Sequence, residues 1–172
     1  MISALQSEQI SLLQLFYDQI HIPSSELPEF ERHGARVLIQ TLRDVGFVVV
    51  RQLSDTEKTR ARQISAEIAS HPLAKDRDPQ GHYPEAEAIV LMSRAEFRES
   101  EIILDELAAR EVAKEHQIPV IGFAGLLIRA CQDGYLSPEQ VRETLYRCQS
   151  LGTHYATAFI KGIYRRLKEE TG

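Results

Sequence analysis

The sequence predicts a three-layer α/β/α domain, a short parallel sheet with helices on both faces. Two observations carry this. Helical stretches alternate with short β-branched runs, the pattern of a parallel sheet covered by helices. The clearest of those runs, Phe47-Val48-Val49-Val50, is apolar throughout, as a strand buried on both faces should be. With 172 residues, 43% apolar and 26% charged, the chain has the size and composition to bury a core of its own.

Taken in order, Leu5, Leu12, Leu13, Leu15 and Phe16 suit a first amphipathic helix. Gln19-Ile20-His21-Ile22 reads as a short strand ended by Pro23. The spacing then predicts one long helix from about Ser25 to Asp44, with Val37, Leu38, Thr41 and Leu42 on its inner face and Gly46 as its stop. Ser54 to about Ser70 is a helix capped by Ser54 or Asp55, with Glu57 and Lys58 in its first turn. The segment His71 to Pro84 carries three prolines, a glycine and four charges and is the one obvious long loop. A functional loop and a solvated, mobile excursion fit it equally well. Pro84 suits the first turn of a helix that includes Ala88, Ile89, Leu91, Met92 and Ala95. Ile102-Ile103-Leu104 reads as a strand, Leu107 to His116 as a helix, and Pro119-Val120-Ile121 as a strand. Gly122 opens a turn into the apolar helix Phe123 to Cys131. Ser137-Pro138-Glu139-Gln140 starts a further helix, Gly152-Thr153 breaks it, and a last helix runs to about Glu169. Residues 1–172 are expected to form one domain, with an α/β core over 1–134 and carboxy-terminal helices over 135–172.

Several function classes are excluded. No apolar run approaches the roughly 18 residues of a spanning helix. The opening MISALQSEQISLL has neither a basic region nor a small-residue cleavage site, so it is not read as a signal peptide. Cys131 and Cys148 lack CxxC spacing, and Cys131, among apolar helix positions, reads as core. A cytoplasmic location is expected. GxxxxGK[ST], GxGxxG and GxSxG are absent, and the six histidines form no HxxxH or HxH pair. The net charge of −5 does not advertise a nucleic-acid binder. Lys161, Arg165, Arg166 and Lys168 are a local basic concentration whose usual meaning is a solvated face.

Carboxylates remain. In a parallel sheet, ligands bind beyond the carboxyl ends of the strands. Asp105 follows the strand Ile102-Ile103-Leu104, Glu106 stands beside it, and Glu85 and Glu87 begin the preceding helix. Carboxylates converging from several elements suit a hard divalent cation, Mg²⁺ or Mn²⁺, and such an ion serves phosphodiester hydrolysis. Two other readings stand beside this one: Asp105 as a helix cap, and Glu85 and Glu87 as first-turn acids favoured by the helix dipole.

The runs Pro84-Glu85-Ala86-Glu87-Ala88-Ile89-Val90-Leu91, Leu104-Asp105-Glu106-Leu107-Ala108-Ala109-Arg110 and Pro119-Val120-Ile121-Gly122-Phe123-Ala124-Gly125-Leu126-Leu127 together resemble a PIN-like domain. More narrowly, they are similar to an uncharacterised prokaryotic branch with a "GExEAI" helix start, an "LDD" strand end followed by an arginine, and a "GxxG" turn into an apolar helix. The match is best over 84–134 and looser back to Ile10. The resemblance implies a Mg²⁺- or Mn²⁺-dependent ribonuclease acting on RNA, with relatives that are toxins paired with antitoxins. By position, Glu87 and Asp105 would be catalytic metal ligands, Glu85 and Glu106 supporting acids at the metal, and Arg110 a phosphate contact. The alternative it leaves open is a catalytically silent module that binds a partner protein or RNA.

Two departures from that pattern matter. The family begins with a central strand ending in a catalytic aspartate, whereas this chain starts inside what should be the first helix, and no aspartate precedes Asp18. A truncated sequence and a degenerate member are both consistent with this. Losing a central strand would expose ladder groups on both neighbours, so a homo-oligomer is expected. The turn that often carries a small hydroxyl residue after its glycine has Phe123.

Overall fold

The computed structural model describes Ala4, Ser7, residues 9–153 and residues 155–171. Among these the chain runs α1 (Ile10–Phe16), β1 (Ile20–Pro23), α2 (Leu27–Arg32), α3 (Arg36–Asp44), β2 (Val48–Arg51), α4 (Asp55–Ser70), α5 (Tyr83–Met92), β3 (Ile102–Ile103), α6 (Leu107–Glu115), β4 (Val120–Ile121), α7 (Phe123–Gln132), α8 (Pro138–Ser150) and α9 (Thr157–Thr171), with 3-10 turns at Ser24–Glu26, Pro79–His82 and Ala95–Phe97. Two units form, Tyr17–Ile121 and Met1–Phe16 with Gly122–Gly172.

In the unit Tyr17–Ile121, β1 pairs with β2 in parallel, Ile20 opposite Val48, and β3 pairs with β4 in parallel, Ile102 opposite Val120. The parallel strands expected from the sequence are therefore present as two separate two-stranded ladders. Ile20 N–H donates to the Phe47 carbonyl at 2.7 Å, and Ile102 N–H to that of Pro119 at 2.8 Å. Alternation along a parallel ladder then turns the backbone groups of His21 and Ile103 toward the opposite edges. Helix α5 packs against both β1 and β3, and also against α4, α6 and the Ser24–Glu26 turn. The core of this unit combines Ile64 and Ile68 of α4, Ala86, Ile89 and Val90 of α5, and Ala108, Ala109 and Val112 of α6 with Ile102 and Leu104.

The single helix expected from Ser25 to Asp44 is instead a 3-10 turn followed by α2 and α3. The break is at Gly34, whose φ of +69° is a left-handed conformation that glycine adopts without steric cost. The break also resets the rotational phase of α3. Ile39 and Leu42 are buried, whereas Val37 is 79% exposed and Leu38 40% exposed, and Thr41 is exposed as well. The inner face expected at Val37, Leu38 and Thr41 is therefore an outer one, and of the four expected residues only Leu42 faces inward.

Helix α4 starts with a reciprocal capping box: Ser54 Oγ accepts from Glu57 N–H, and Glu57 Oε2 accepts from Ser54 N–H at 2.7 Å. Arg94 clamps the same carboxylate, donating from Nε to Oε1 at 2.8 Å and from Nη2 to Oε2 at 3.0 Å, and Nη2 also reaches the Gln52 carbonyl at 2.8 Å. These bonds, Arg94 first and then the Ser54 backbone, hold the Glu57 carboxyl down at about 2. A depressed carboxyl contributes stability above the ordinary range and loses it as pH falls from about 4.5 toward 2. Arg94→Ala is expected to cost about 2 kcal/mol at pH 7. The deficit should shrink below about pH 3, as urea unfolding at the two pH values would show.

The long segment after α4 is pinned rather than loose. Arg77 Nη1 donates to the carbonyls of Ala69 and His71, at 3.1 and 2.9 Å, and the buried His82 places Nε2 3.0 Å from the Asp76 carbonyl oxygen. Pro84 lies in the first turn of α5 as expected, but the helix ends at Met92, and Ala95 belongs to a 3-10 turn.

In the unit Met1–Phe16 with Gly122–Gly172, α1 buries Leu12 and Leu13, while Leu5 lies outside the described residues. Leu126, Leu127 and Cys131 of α7 are buried, as are Val141, Leu145 and Cys148 of α8 and Ile160 and Leu167 of α9. The Ser137 cap and Pro138 start α8 as expected, with Gln140 completing the capping box. Both cysteines are free and buried. No helix among the described residues is long and apolar enough to cross a membrane.

Candidate functional site

The acids singled out from the sequence lie on two neighbouring elements. Strand β3 ends at Ile103, one residue sooner than expected, so Leu104-Asp105-Glu106 form the connection into α6. The helix cap is Glu106, not Asp105: Glu106 Oε2 accepts from Ala109 N–H at 2.5 Å. Asp105, half-buried, is thus not the capping residue. Arg110 sits half-buried one turn into α6, its N–H donating to the Glu106 carbonyl.

Glu85 and Glu87 begin α5. A first-turn position explains Glu85 through the helix dipole, but Glu87 is only 6% exposed, which a dipole does not require. Among the described residues, the buried side-chain oxygens without a hydrogen-bond partner are Ser25 Oγ, Glu85 Oε2 and Glu87 Oε2. A buried carboxylate oxygen with no donor is costly and rarely left so.

The electrostatics agree. Burial, reinforced by the charges of Glu26 and Glu106, pushes the Glu85 carboxyl up to about 7 against the pull of its own N–H and of His82. Burial also raises Glu26; of the smaller influences, which carry both signs, Glu29 and Glu87 push it up. The Tyr83 phenol is raised by burial first, then by the charge of Glu87. Glu85 therefore feels the charges of Glu26 and Glu106, and Glu26 that of Glu87; no motif had marked Glu26. Tyr83 was also missed, although its four-residue spacing from Glu87 on a helix was a readable signal.

Among the described residues, no three His, Cys, Asp or Glu side chains stand closely enough to hold a metal ion as placed. The donor chemistry nonetheless suits a hard cation, since it consists of crowded carboxylates with unpaired oxygens. The basic carboxy-terminal residues are partly spent elsewhere. Lys168 pairs with Glu139 at 3.0 Å and Arg166 with Glu170 at 2.9 Å. Phe123 is fully buried at the start of α7.

Short parallel strands among nine described helices, with acids at a helix start and after a strand end, make an α/β domain. The chain belongs to the PIN domain family: the family model DUF3368, described as a PIN domain, matches residues 1–169. The three-layer α/β/α fold class read from the sequence agrees with that membership. Membership supports a nucleic-acid-binding, nuclease-type domain in general. No curated protein and no solved structure matches the chain.

Proposed function

We propose that this chain is a divalent-metal-dependent ribonuclease that hydrolyses RNA phosphodiester bonds. The observation that carries the reading is the pair of buried, unpaired oxygens of Glu85 and Glu87 inside a group of mutually repelling acids. Glu87 and Asp105 would hold Mg²⁺ or Mn²⁺, with Glu85 and Glu106 as supporting acids. The bound ion would supply an activated water and neutralise charge on the phosphodiester. The Glu106 cap fixes the start of α6, and with it the positions of Asp105 and Arg110. Arg110 would meet an RNA phosphate, a contact that positions the strand without reading its sequence.

A second reading, a catalytically silent module that binds RNA or a partner protein, is favoured by one observation: Glu106 already spends an oxygen on its cap. The proposal extends to a single cytoplasmic PIN-like domain over 1–172, with 135–172 as its carboxy-terminal helices. It extends also to pairing with a second copy, or with an antitoxin-like protein. Among the described residues β1 and β3 each pair with one strand only, and a strand edge of that kind favours an added strand. A mass above that of the monomer in solution is the expected sign of a homo-oligomer. Incubation of single-stranded RNA with the protein and Mn²⁺ tests the function. Cleavage that a chelator abolishes supports the nuclease, and RNA bound but left intact supports the silent module.

A further inference from the structure

Helix α3 carries an apolar outer face. Ile39 and Leu42 occupy its inner side, yet Val37 is 79% exposed, Leu38 is exposed beside it and Val45, just past the last turn, is 70% exposed. Three of the nine large apolar side chains exposed among the described residues thus fall within this one short segment. A single exposed apolar residue needs no explanation, but an unbroken row of them is the pattern of a contact surface. Val37, Thr41 and Val45 follow one another at the four-residue spacing that aligns side chains along a helix. The turn continues to Val45, whose N–H donates to the Thr41 carbonyl at 3.2 Å. Thr41 does not interrupt the row: its hydroxyl donates to the Val37 carbonyl at 3.0 Å, which leaves its methyl group for an apolar neighbour. Helix propensity does not account for the valines, which form helices less readily than alanine or leucine.

We propose that this row is a self-association surface, on which α3 of a second copy packs antiparallel with Thr41 at the twofold axis. The row reads the same in both directions about Thr41, so an antiparallel copy sets Val37 against the partner's Val45 at each end. Rows of side chains four apart interlock in the commonest class of helix contact, and the short Thr41 at the crossing keeps the two axes close. Charge favours the same direction. Arg36 begins the helix and Asp44 ends it, so the antiparallel arrangement brings each Arg36 to the end where the partner's Asp44 stands, whereas a parallel one would set like charges together. Arg36 is held only loosely, its side chain 80% exposed and its Nε 3.6 Å from Glu31, and Gln40 donates to Asp44 Oδ1 at 2.7 Å at the other end. The surface is distinct from the strand edges and does not depend on the metal-dependent reading. A nine-residue helix is about 14 Å long and buries less than the roughly 800 Å² per partner of a standard interface, so the dimer dissociates on dilution through the micromolar range.

Sedimentation equilibrium on the full chain at low ionic strength, from about 1 to 500 µM, tests this. The wild type is expected to pass from monomer to dimer, and Val37→Lys or Val45→Lys to weaken the dimer at least about tenfold. Both positions are exposed, so circular dichroism should show unchanged helix content. Arg36→Glu and Asp44→Arg should each weaken the dimer about tenfold, since each sets like charges together at both ends. Each also suits the helix dipole, with an acid at the amino end or a base at the carboxyl end, so the helix persists. An equimolar mixture of these two variants should dimerise as the wild type does, because opposite charges then meet at both ends. A monomer at every concentration would overturn the second copy as the occupant of this face. A dimer that survives Val37→Lys and Val45→Lys would also overturn it, and would leave strand-edge pairing as the cause. Loss of the dimer in the valine variants without recovery in the mixture would overturn the antiparallel arrangement.

Discussion

Glu87→Gln is expected to reduce metal-dependent RNA cleavage by more than about a hundredfold while leaving the fold intact. The substitution keeps the volume and removes the charge. Glu87 is 6% exposed with one oxygen unpaired, so that charge has no evident structural use. Thermal unfolding within a few degrees of wild type, beside lost cleavage, is the outcome that supports a metal ligand. Unchanged cleavage would remove Glu87 from the site.

Glu85→Gln is expected to stabilise the metal-free protein increasingly as pH rises from about 4.5, and fully above about 7. In the folded chain the Glu85 carboxyl is raised from 4.5 to about 7, chiefly by burial and then by Glu26. A raised acid binds its proton more tightly in the folded state. Stability therefore falls as pH rises from about 4.5 to about 7, and the full penalty is present above that. Glutamine mimics the protonated form. The shift corresponds to about 3 kcal/mol, so the variant should exceed the wild type by up to that amount at pH 8 and match it near pH 4.5. Urea unfolding in chelator measures the difference. Saturating Mn²⁺ should reverse the order, because the wild type alone then gains the ligand's binding energy. Equal stability at pH 8 would mean that the Glu85 carboxylate is not confined among the other acids.

Elements announced by local chemistry were readable from the residues. Ser54 with Glu57 and Ser137-Pro138 with Gln140 mark their helices because a cap is satisfied within four residues. The parallel pairing was readable from the apolar β-branched runs. What escaped depends on single backbone turns. Gly34 interrupts a plausible helix and rotates α3, so that Val37 faces solvent although the uninterrupted period would bury it. At β3, a ladder one residue shorter than the apolar run passes the cap from Asp105 to Glu106.

Most of the candidate site was likewise visible, because Glu85, Glu87, Asp105 and Glu106 stand where a helix begins and a strand ends. Glu26 was not visible. Its approach to α5 depends on a 3-10 turn packing against a helix some sixty residues away, and no spacing within the segment records that contact. The charges that raise Glu26 and Glu85 are long-range in the same sense.

Mn²⁺ titration by calorimetry of the wild type beside Asp105→Asn tests the metal site most directly. Binding to the wild type that disappears in Asp105→Asn is the expected result and would join the end of β3 to the acids of α5 in one site. Absence of binding to either protein would contradict a metal-dependent nuclease and leave a silent PIN domain as the better description.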